Sequence, residues 1–465
     1  MAGASAREWQ AKAAALRGQQ RMGEADAAIA EAAGLAPDDP LIAFLLAQSR
    51  YELGLPAAQL FARAAKLWPD NPDVVRNRAL AMAAEGDLPG AEAVLEAALT
   101  ATPDWLEGQR VLASLRWTGG DADHFDRGFA TACAAPQASA GLWLGWFSTL
   151  AQLRLWPRAL AVLDRAEALL GPLRALVVAR AFAAAEGGET ELAQRLLAAL
   201  DGPDDAFVTL CRIRQHLRRG DPAAAEALAL PLAHGPAAGQ IWPYLSTCWR
   251  LLGDARAGWL DGEPLLAGVV DSGLTAADCA EIAAVLRGLH TARAAYAEQS
   301  VRLGTQTDRS VLLRHEPALA RARGALEGAM AGFAAALPPA PPSPPGCPPH
   351  PLLSRPRTPL RIAGSWSVRL GPGGHNVTHS HPAGWLSSAC YLALPDATER
   401  GSGHAGWLQL GAPPPELGLD LPPLRLIEPQ VGKLAIFPST LWHGTLPFTA
   451  GERLNIAFDV VPAAG

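Results

Sequence analysis

Glycine returns along the first half of this 465-residue chain at a nearly fixed interval, and that interval most narrows what the chain can fold into. The turn motifs MGEADAA, LGLPAAQ, EGDLPGAE, TGGDADH, EGGETELA, RGDPAAAE and LGDARAG place it at Gly23, Gly54, Gly86, Gly120, Gly188, Gly220 and Gly253. Successive spacings are 31, 32, 34, 68, 32 and 33 residues, so one turn is missing and should lie near Arg154, in LRLWPRALAVL. An interval of this size holds two short helices and their turns. Such a pair cannot bury its apolar face alone, so copies must stack.

Between the turns the chain is rich in Ala, Leu and Arg. Alanine stands five residues beyond the turn glycine at Ala28, Ala91, Ala193 and Ala225, where a small side chain lets the second helix of a pair approach the first. Prolines at Pro37, Pro69 and Pro103 mark helix ends. The pattern resembles the tetratricopeptide repeat, although the Trp, Leu-Gly and Tyr positions of that repeat are only partly present. The resemblance implies an α-solenoid over residues 1–265, a superhelix whose concave surface takes a protein or peptide ligand. The same architecture also serves as a spacer or an oligomerisation module.

A formal net charge of −6 with 18% charged residues gives no footprint for a polyanion, so no nucleic acid is expected. Six scattered cysteines without a CxxC read as thiols in a reducing compartment, and a cytoplasmic protein is the simplest expectation. No apolar run reaches membrane-spanning length, and the first residues lack the apolar core of a signal peptide.

Residues 266–337 read as a helical bridge, with Thr275 as an N-cap and GTQTDRSVLL (304–313) as a short edge strand. PPAPPSPPGCPPHP follows, and residues 338–359 are expected to form an extended, semi-rigid linker. From there the apolar period becomes two. LRIAGSWSVRL, WLSSACYLAL, GWLQLG, LRLIEP, GKLAIFPS and LNIAFDVV are short, apolar or alternating, and separated by Gly/Pro turns, which is the signature of an all-β sandwich or barrel over 360–465. The whole is a multidomain α + β chain ending in a jelly roll.

Three histidines within seven residues, His375, His379 and His381, open this β region, and His443 follows in FPSTLWHGTLPF. On a strand, His379 and His381 point to the same face, and His443 can join them from a neighbouring strand. Side-by-side imidazoles are poor core material and good ligands for a first-row metal. Ten residues on, Arg453, Asn455 and Ala457 alternate with Leu454, Ile456 and Phe458. An inward arginine near a metal suits a dicarboxylate, which its planar fork binds bidentately. His375 lies outside the HxH register and reads as structural, His404 as a loop residue, and Trp366, Trp385, Trp407 and Trp442 as core or pocket walls.

HxH, FPSxxxH and the Arg ten residues later, together with SWSVRL, HxHPxGWxSS and RxxIAFDVVP, resemble the Fe(II)/2-oxoglutarate-dependent oxygenases appended to tetratricopeptide arrays. The likeness covers roughly residues 300–465 and implies a double-stranded β-helix. It also implies Fe(II), 2-oxoglutarate and O2, with oxidative decarboxylation to succinate and CO2 coupled to hydroxylation of a C–H bond. In that scheme His379, His381 and His443 hold the metal, Arg453 pairs with 2-oxoglutarate, and Tyr391 and Asn455 assist it. His381 stands where a carboxylate is usual, which leaves the iron one negative charge short. Asp396 and Glu428 are the carboxylates outside the motif that could complete the shell. Two rivals remain on the sequence alone: a non-catalytic scaffold with a metal- or ligand-binding cupin-like domain, and a cupin-like metalloenzyme without 2-oxoglutarate, which would have no need of Arg453.

Overall fold

The computed structural model describes residues 4–463. Helix pairs run from Ala6–Gly18 to Arg256–Asp261. Each pair turns on one residue with left-handed backbone: Gln20 (φ 59°), Gly54 (75°), Gly86 (92°), Gly120 (102°), Arg154 (58°), Gly188 (89°), Gly220 (71°) and Gly253 (65°). The next residue donates its N–H to the carbonyl five positions back, as in Asp87 to Met82 (2.8 Å), Glu189 to Ala184 (2.7 Å) and Asp254 to Trp249 (2.9 Å). This six-residue closure satisfies carbonyls that a helix C-terminus otherwise leaves bare, and it requires the left-handed residue before it. The missing turn is therefore found at Arg154, as its phase predicted. Gly23 is a correction: it lies inside the helix Met22–Leu35, and Gln20 makes that turn.

Pro40, Pro72 and Pro222 open helices behind the side-chain caps Asp39, Asn71 and Asp221, where a missing N–H costs nothing. Ala28, Ala91, Ala193 and Ala225 are at most 3% exposed, as their place at the helix crossings requires. No helix among the described residues is long and apolar enough to cross a membrane.

The chain divides into two compact units. One comprises Met1–Thr149, Ala292–Ala297 and Arg309–Arg323; the other comprises Leu150–Thr291, Glu298–Asp308 and Gly324–Gly465. The second holds the β structure: β1 Gly268–Asp271, β2 Val301–Gln306, β3 Leu360–Asn376, β4 Leu386–Ala393, β5 Leu408–Leu410, β6 Arg425–Ile427, β7 Lys433–Pro438, β8 His443–Thr445 and β9 Arg453–Pro462. Six strands form an antiparallel sheet in the order β1-β7-β4-β9-β3-β2, and three form a smaller sheet, β6-β5-β8. Ala389, Tyr391, Ala435 and Phe437 from the larger sheet pack against Leu408, Leu410 and Ile427 from the smaller one. This is the expected jelly roll, two sheets closed face to face on one apolar layer.

Two expectations change here. The edge strand expected in the bridge is present as β2 but lies earlier, with 311–313 a single 3-10 turn, and a strand not expected there, β1, forms the other edge of the larger sheet. The proline-rich stretch forms no helix or strand, as expected, but it is strapped down rather than a free spacer. His350 is 2% exposed, its Nε2 lies 3.1 Å from the Leu260 carbonyl, and its Nδ1 accepts from the backbone N–H of Leu352 and Leu353. Trp385 Nε1 donates to the Leu352 carbonyl at 2.9 Å.

Within the same unit the helix Ala238–Leu252 meets the loops that carry the histidines. A Cβ on Gly239 would stand 2.2 Å from the Pro382 carbonyl oxygen, so only glycine permits this approach. Trp442, beside His443, packs edge-on against Tyr244 at 5.2 Å between ring centroids and donates Nε1–H to Thr247 Oγ1.

Candidate metal and co-substrate site

His379 and His381 follow β3 in a loop, not in a regular strand, yet the backbone ties them down as a strand would. His379 and His443 exchange both backbone hydrogen bonds at 2.9 Å, and His381 N–H donates to the Ser439 carbonyl at 2.8 Å. Same-face parity survives, and the three rings converge. Their centroids are 5.0 Å (379–381), 4.3 Å (379–443) and 4.8 Å (381–443) apart, and one nitrogen from each lies within 4.8 Å of the others.

The hydrogen bonds fix which nitrogens are free. His379 Nδ1 is 2.7 Å from the Val377 carbonyl and His443 Nδ1 is 2.9 Å from the Leu441 carbonyl. A carbonyl only accepts, so both Nδ1 atoms carry hydrogen and both Nε2 atoms present lone pairs. His381 Nδ1 lies 2.8 Å from the Asp459 carboxylate, which imposes the same tautomer. Burial, and then the neighbouring His381, pull His379 down to about 3; burial, and then His379 and His381, hold His443 well below the usual histidine range. Clustered imidazoles of this kind, with His379 and His443 held neutral, are what a divalent cation binds. Trp366 (5.3 Å from the His381 ring) and Phe437 (4.7 Å from His443) wall the cluster.

Strand pairing sets the other end of the site. On β9, Arg453, Asn455, Ala457 and Asp459 share the inward face, and the register sets Tyr391, Ala389 and Ser387 of β4 opposite the last three. Arg453 is 2% exposed, donates to Asn455 Oδ1 at 3.3 Å, and lies 5.0 Å from the centroid of the Tyr391 ring. Its Nε and the Tyr391 hydroxyl find no hydrogen-bond partner among the described residues, and no carboxylate pairs with the guanidinium. Burial pushes Arg453 below its ordinary range, with Tyr391 acting against that, and burial pushes the Tyr391 hydroxyl up. Between Arg453 and the histidines, Ala457, Ala389 and Ala435 stand side by side across β9, β4 and β7. Ala457 keeps some exposure although its strand neighbours are buried.

The residues therefore fit both groups the fold implies. A lone buried guanidinium lacks the counter-charge that burial demands, and a carboxylate supplies it with two parallel hydrogen bonds. The alanines keep the side chains of the sheet face between the two groups short.

The remaining sequence candidates fall where they were expected or outside the site. His375 Nδ1 is 3.0 Å from the Gly373 carbonyl and takes no place in the cluster, while His404 is exposed and lies against Trp407 in a loop. Asp396 and Glu428 do not complete the shell. Asp396 is an exposed N-cap that accepts from Thr398 and Glu399, and exposed Glu428 pairs with Arg400. The carboxylate that does approach is Asp459, in the IAFDVV stretch already read for its parity. It stands six residues past Arg453, an even number, so the alternation that turned Arg453 inward turned Asp459 inward too.

Residues 364–459 match the family described as "Putative 2OG-Fe(II) oxygenase", and residues 56–115 match the tetratricopeptide repeat family. Among solved structures, a prolyl-4-hydroxylase from Pseudomonas putida aligns at 16% identity over 45% of this chain and 98% of its own, with a TM-score of 0.27. HygX from Streptomyces hygroscopicus, with nickel, 2-oxoglutarate and hygromycin B bound, aligns at 14% identity over 42% and 83%, with a TM-score of 0.28. A tetratricopeptide repeat protein from Parabacteroides merdae aligns at 16% identity over 54% and 98%, with a TM-score of 0.32. No curated protein sequence matches the chain. The chain thus carries a segment that matches the tetratricopeptide repeat family and, further on, a segment that matches the family described as "Putative 2OG-Fe(II) oxygenase".

Proposed function

We propose that the C-terminal domain is an Fe(II)/2-oxoglutarate-dependent dioxygenase that hydroxylates a C–H bond of a protein or peptide, with the helical repeats binding that substrate or its carrier. One observation carries the reading. Three histidines each bring a ring nitrogen within 4.8 Å of the others, and on the same interior face a buried arginine has no counter-ion among the described residues. A structural histidine cluster has no use for the arginine, and a structural arginine would have its own carboxylate.

Iron(II) at the triad, given O2 and 2-oxoglutarate, supplies the chemistry: one oxygen atom goes to succinate as CO2 leaves, the other into the substrate C–H bond. The chain's own part is to hold and aim. His379, His381 and His443 provide three nitrogen ligands and leave the remaining positions open. Arg453 takes the far carboxylate of the co-substrate, with the Tyr391 hydroxyl and Asn455 beside it. Trp366 and Phe437 wall the histidine cluster.

The test is turnover by the full chain with Fe(II), O2 and 2-oxoglutarate over a complex peptide mixture. Succinate is expected in step with a one-oxygen mass gain on particular peptides, and both should collapse in Arg453→Ala. Succinate formation that Arg453→Ala leaves untouched would overturn the co-substrate assignment; none under any condition would overturn the enzyme.

A further inference from the structure

The site holds a second buried ionisable side chain, and it lies at the other end of the same strand. Asp459 is 8% exposed, and no arginine or lysine among the described residues pairs with it. Both of its oxygens are 2.8 Å from His381 Nδ1, and Ser387 Oγ donates to Oδ1 at 2.7 Å. Ser387 also lies 2.9 Å from Ser439 Oγ, and these two serines are 1% and 0% exposed. The arrangement is close-packed down to the turn before β4, where a Cβ on Gly384 would meet Ser439 Oγ at 2.4 Å and Asp459 Cβ at 3.3 Å. Among the described residues, the side chains that reach this enclosed carboxyl group are the His381 imidazole and the Ser387 hydroxyl.

We infer that Asp459 is the missing carboxylate of the metal site, moved from the metal to the outer side of His381, where it fixes that ring and supplies the negative charge the three-histidine set lacks. The inference rests on the metal reading proposed above and adds a residue and a role to it. Hydrogen bonding from a ligating histidine to a carboxylate locks the ring's tautomer and angle and raises its basicity toward the metal. The charge count supports it. Along the inward face of β9 the order would be Asp459, His381, a dication, a dianionic co-substrate and Arg453. The signs alternate, and the total is zero. Without Asp459 the same row keeps an excess positive charge in a buried interior, which is costly. Asp459 is thus a positioning residue, set by strand parity as firmly as Arg453.

The experiment measures Co(II) affinity of the full chain without 2-oxoglutarate, from cobalt d–d absorbance and by competition with a chelator. It compares the wild type with Asp459→Asn, Asp459→Ala, Ser387→Ala and His443→Ala, and records thermal unfolding of each protein with and without metal. Asn keeps the volume and an acceptor for His381 but not the charge. It is expected to weaken Co(II) about 10- to 100-fold, to alter the cobalt spectrum, and to leave the metal-free protein at least as stable as the wild type. Ser387→Ala, which keeps the charge, should lose less affinity than Asp459→Asn. Wild-type affinity and spectrum in Asp459→Asn would overturn this role and leave the metal site standing. A lower metal-free melting temperature with unchanged affinity would show Asp459 to be structural only. Failure of the wild type itself to bind Co(II) would remove the metal reading, and this inference with it.

Discussion

Replacing Arg453 with methionine should make the co-substrate-free protein more stable and blind to 2-oxoglutarate at once. The guanidinium is fully enclosed, and its protein partners are the side-chain oxygen Oδ1 of Asn455 at 3.3 Å and the Tyr391 ring at 5.0 Å. Desolvating such an ion costs several kcal/mol, of which a buried cation–π contact returns about 2 and one long hydrogen bond about 1. An apolar side chain of similar volume avoids that cost, so a gain of about 1–3 kcal/mol is expected in the absence of ligand. The sign agrees with the depressed ionisation of Arg453: the fold disfavours its charged form. The wild type more than recovers the loss on binding, because co-substrate at about 1,000 times its dissociation constant adds about 4.1 kcal/mol. Two charge-assisted hydrogen bonds disappear in Arg453→Met, a loss of about 3–5 kcal/mol in affinity. Denaturant unfolding with and without 2-oxoglutarate, on metal-loaded protein, reads both effects. The ranking of variant over wild type should reverse when 2-oxoglutarate is added. A variant destabilised by several kcal/mol without ligand would refute the reasoning, since it would mean the fold already satisfies Arg453.

Three further outcomes follow from particular residues. Gly23→Ala and Gly86→Ala both place a Cβ in open space, but Gly23 is helical and Gly86 sits at φ 92°; urea melts should show the first stabilised by about 0.5–1 kcal/mol and the second destabilised by about 1–2. Asp261 is enclosed with Ser246 as its hydrogen-bond donor, and burial raises it to about 6. A raised folded value means that its cost to stability is absent below the unfolded value near 4, grows as pH rises to about 6, and is full above that. Asp261→Asn should therefore stabilise the protein at neutral pH by up to about 3 kcal/mol and flatten that slope in melts taken across the range. Gly384→Ala should weaken metal binding in a Co(II) titration, because the added methyl pushes on Ser439 and Asp459; unchanged affinity would show that the turn yields without disturbing the site.

The repeats were legible because each turn must spend one residue in left-handed backbone, and glycine usually takes it. Phase alone recovered Arg154, whereas Gln20 and Gly23 could not be told apart without coordinates, since both stand near the turn. All six strand segments read from alternation became strands. The three-residue β8 and the four-residue β1 were too short to alternate visibly, and β1 gains its identity only by pairing with β7. His379, His381, His443 and Arg453 were visible through spacing. Asp459 was overlooked because the carboxylate was sought as a direct ligand, while the fold places it behind His381. The approach of Gly239 to Pro382 was also hidden, since it joins residues distant in sequence through packing alone.

The central claim, that the triad and Arg453 together hold iron and 2-oxoglutarate, is tested most directly by visible absorbance under anaerobic conditions. Fe(II) alone should give no band, and adding 2-oxoglutarate should produce a metal-to-ligand charge-transfer band that His443→Ala and Arg453→Ala abolish or shift to much higher co-substrate concentration. No band from the wild type at saturating iron and 2-oxoglutarate would contradict the account.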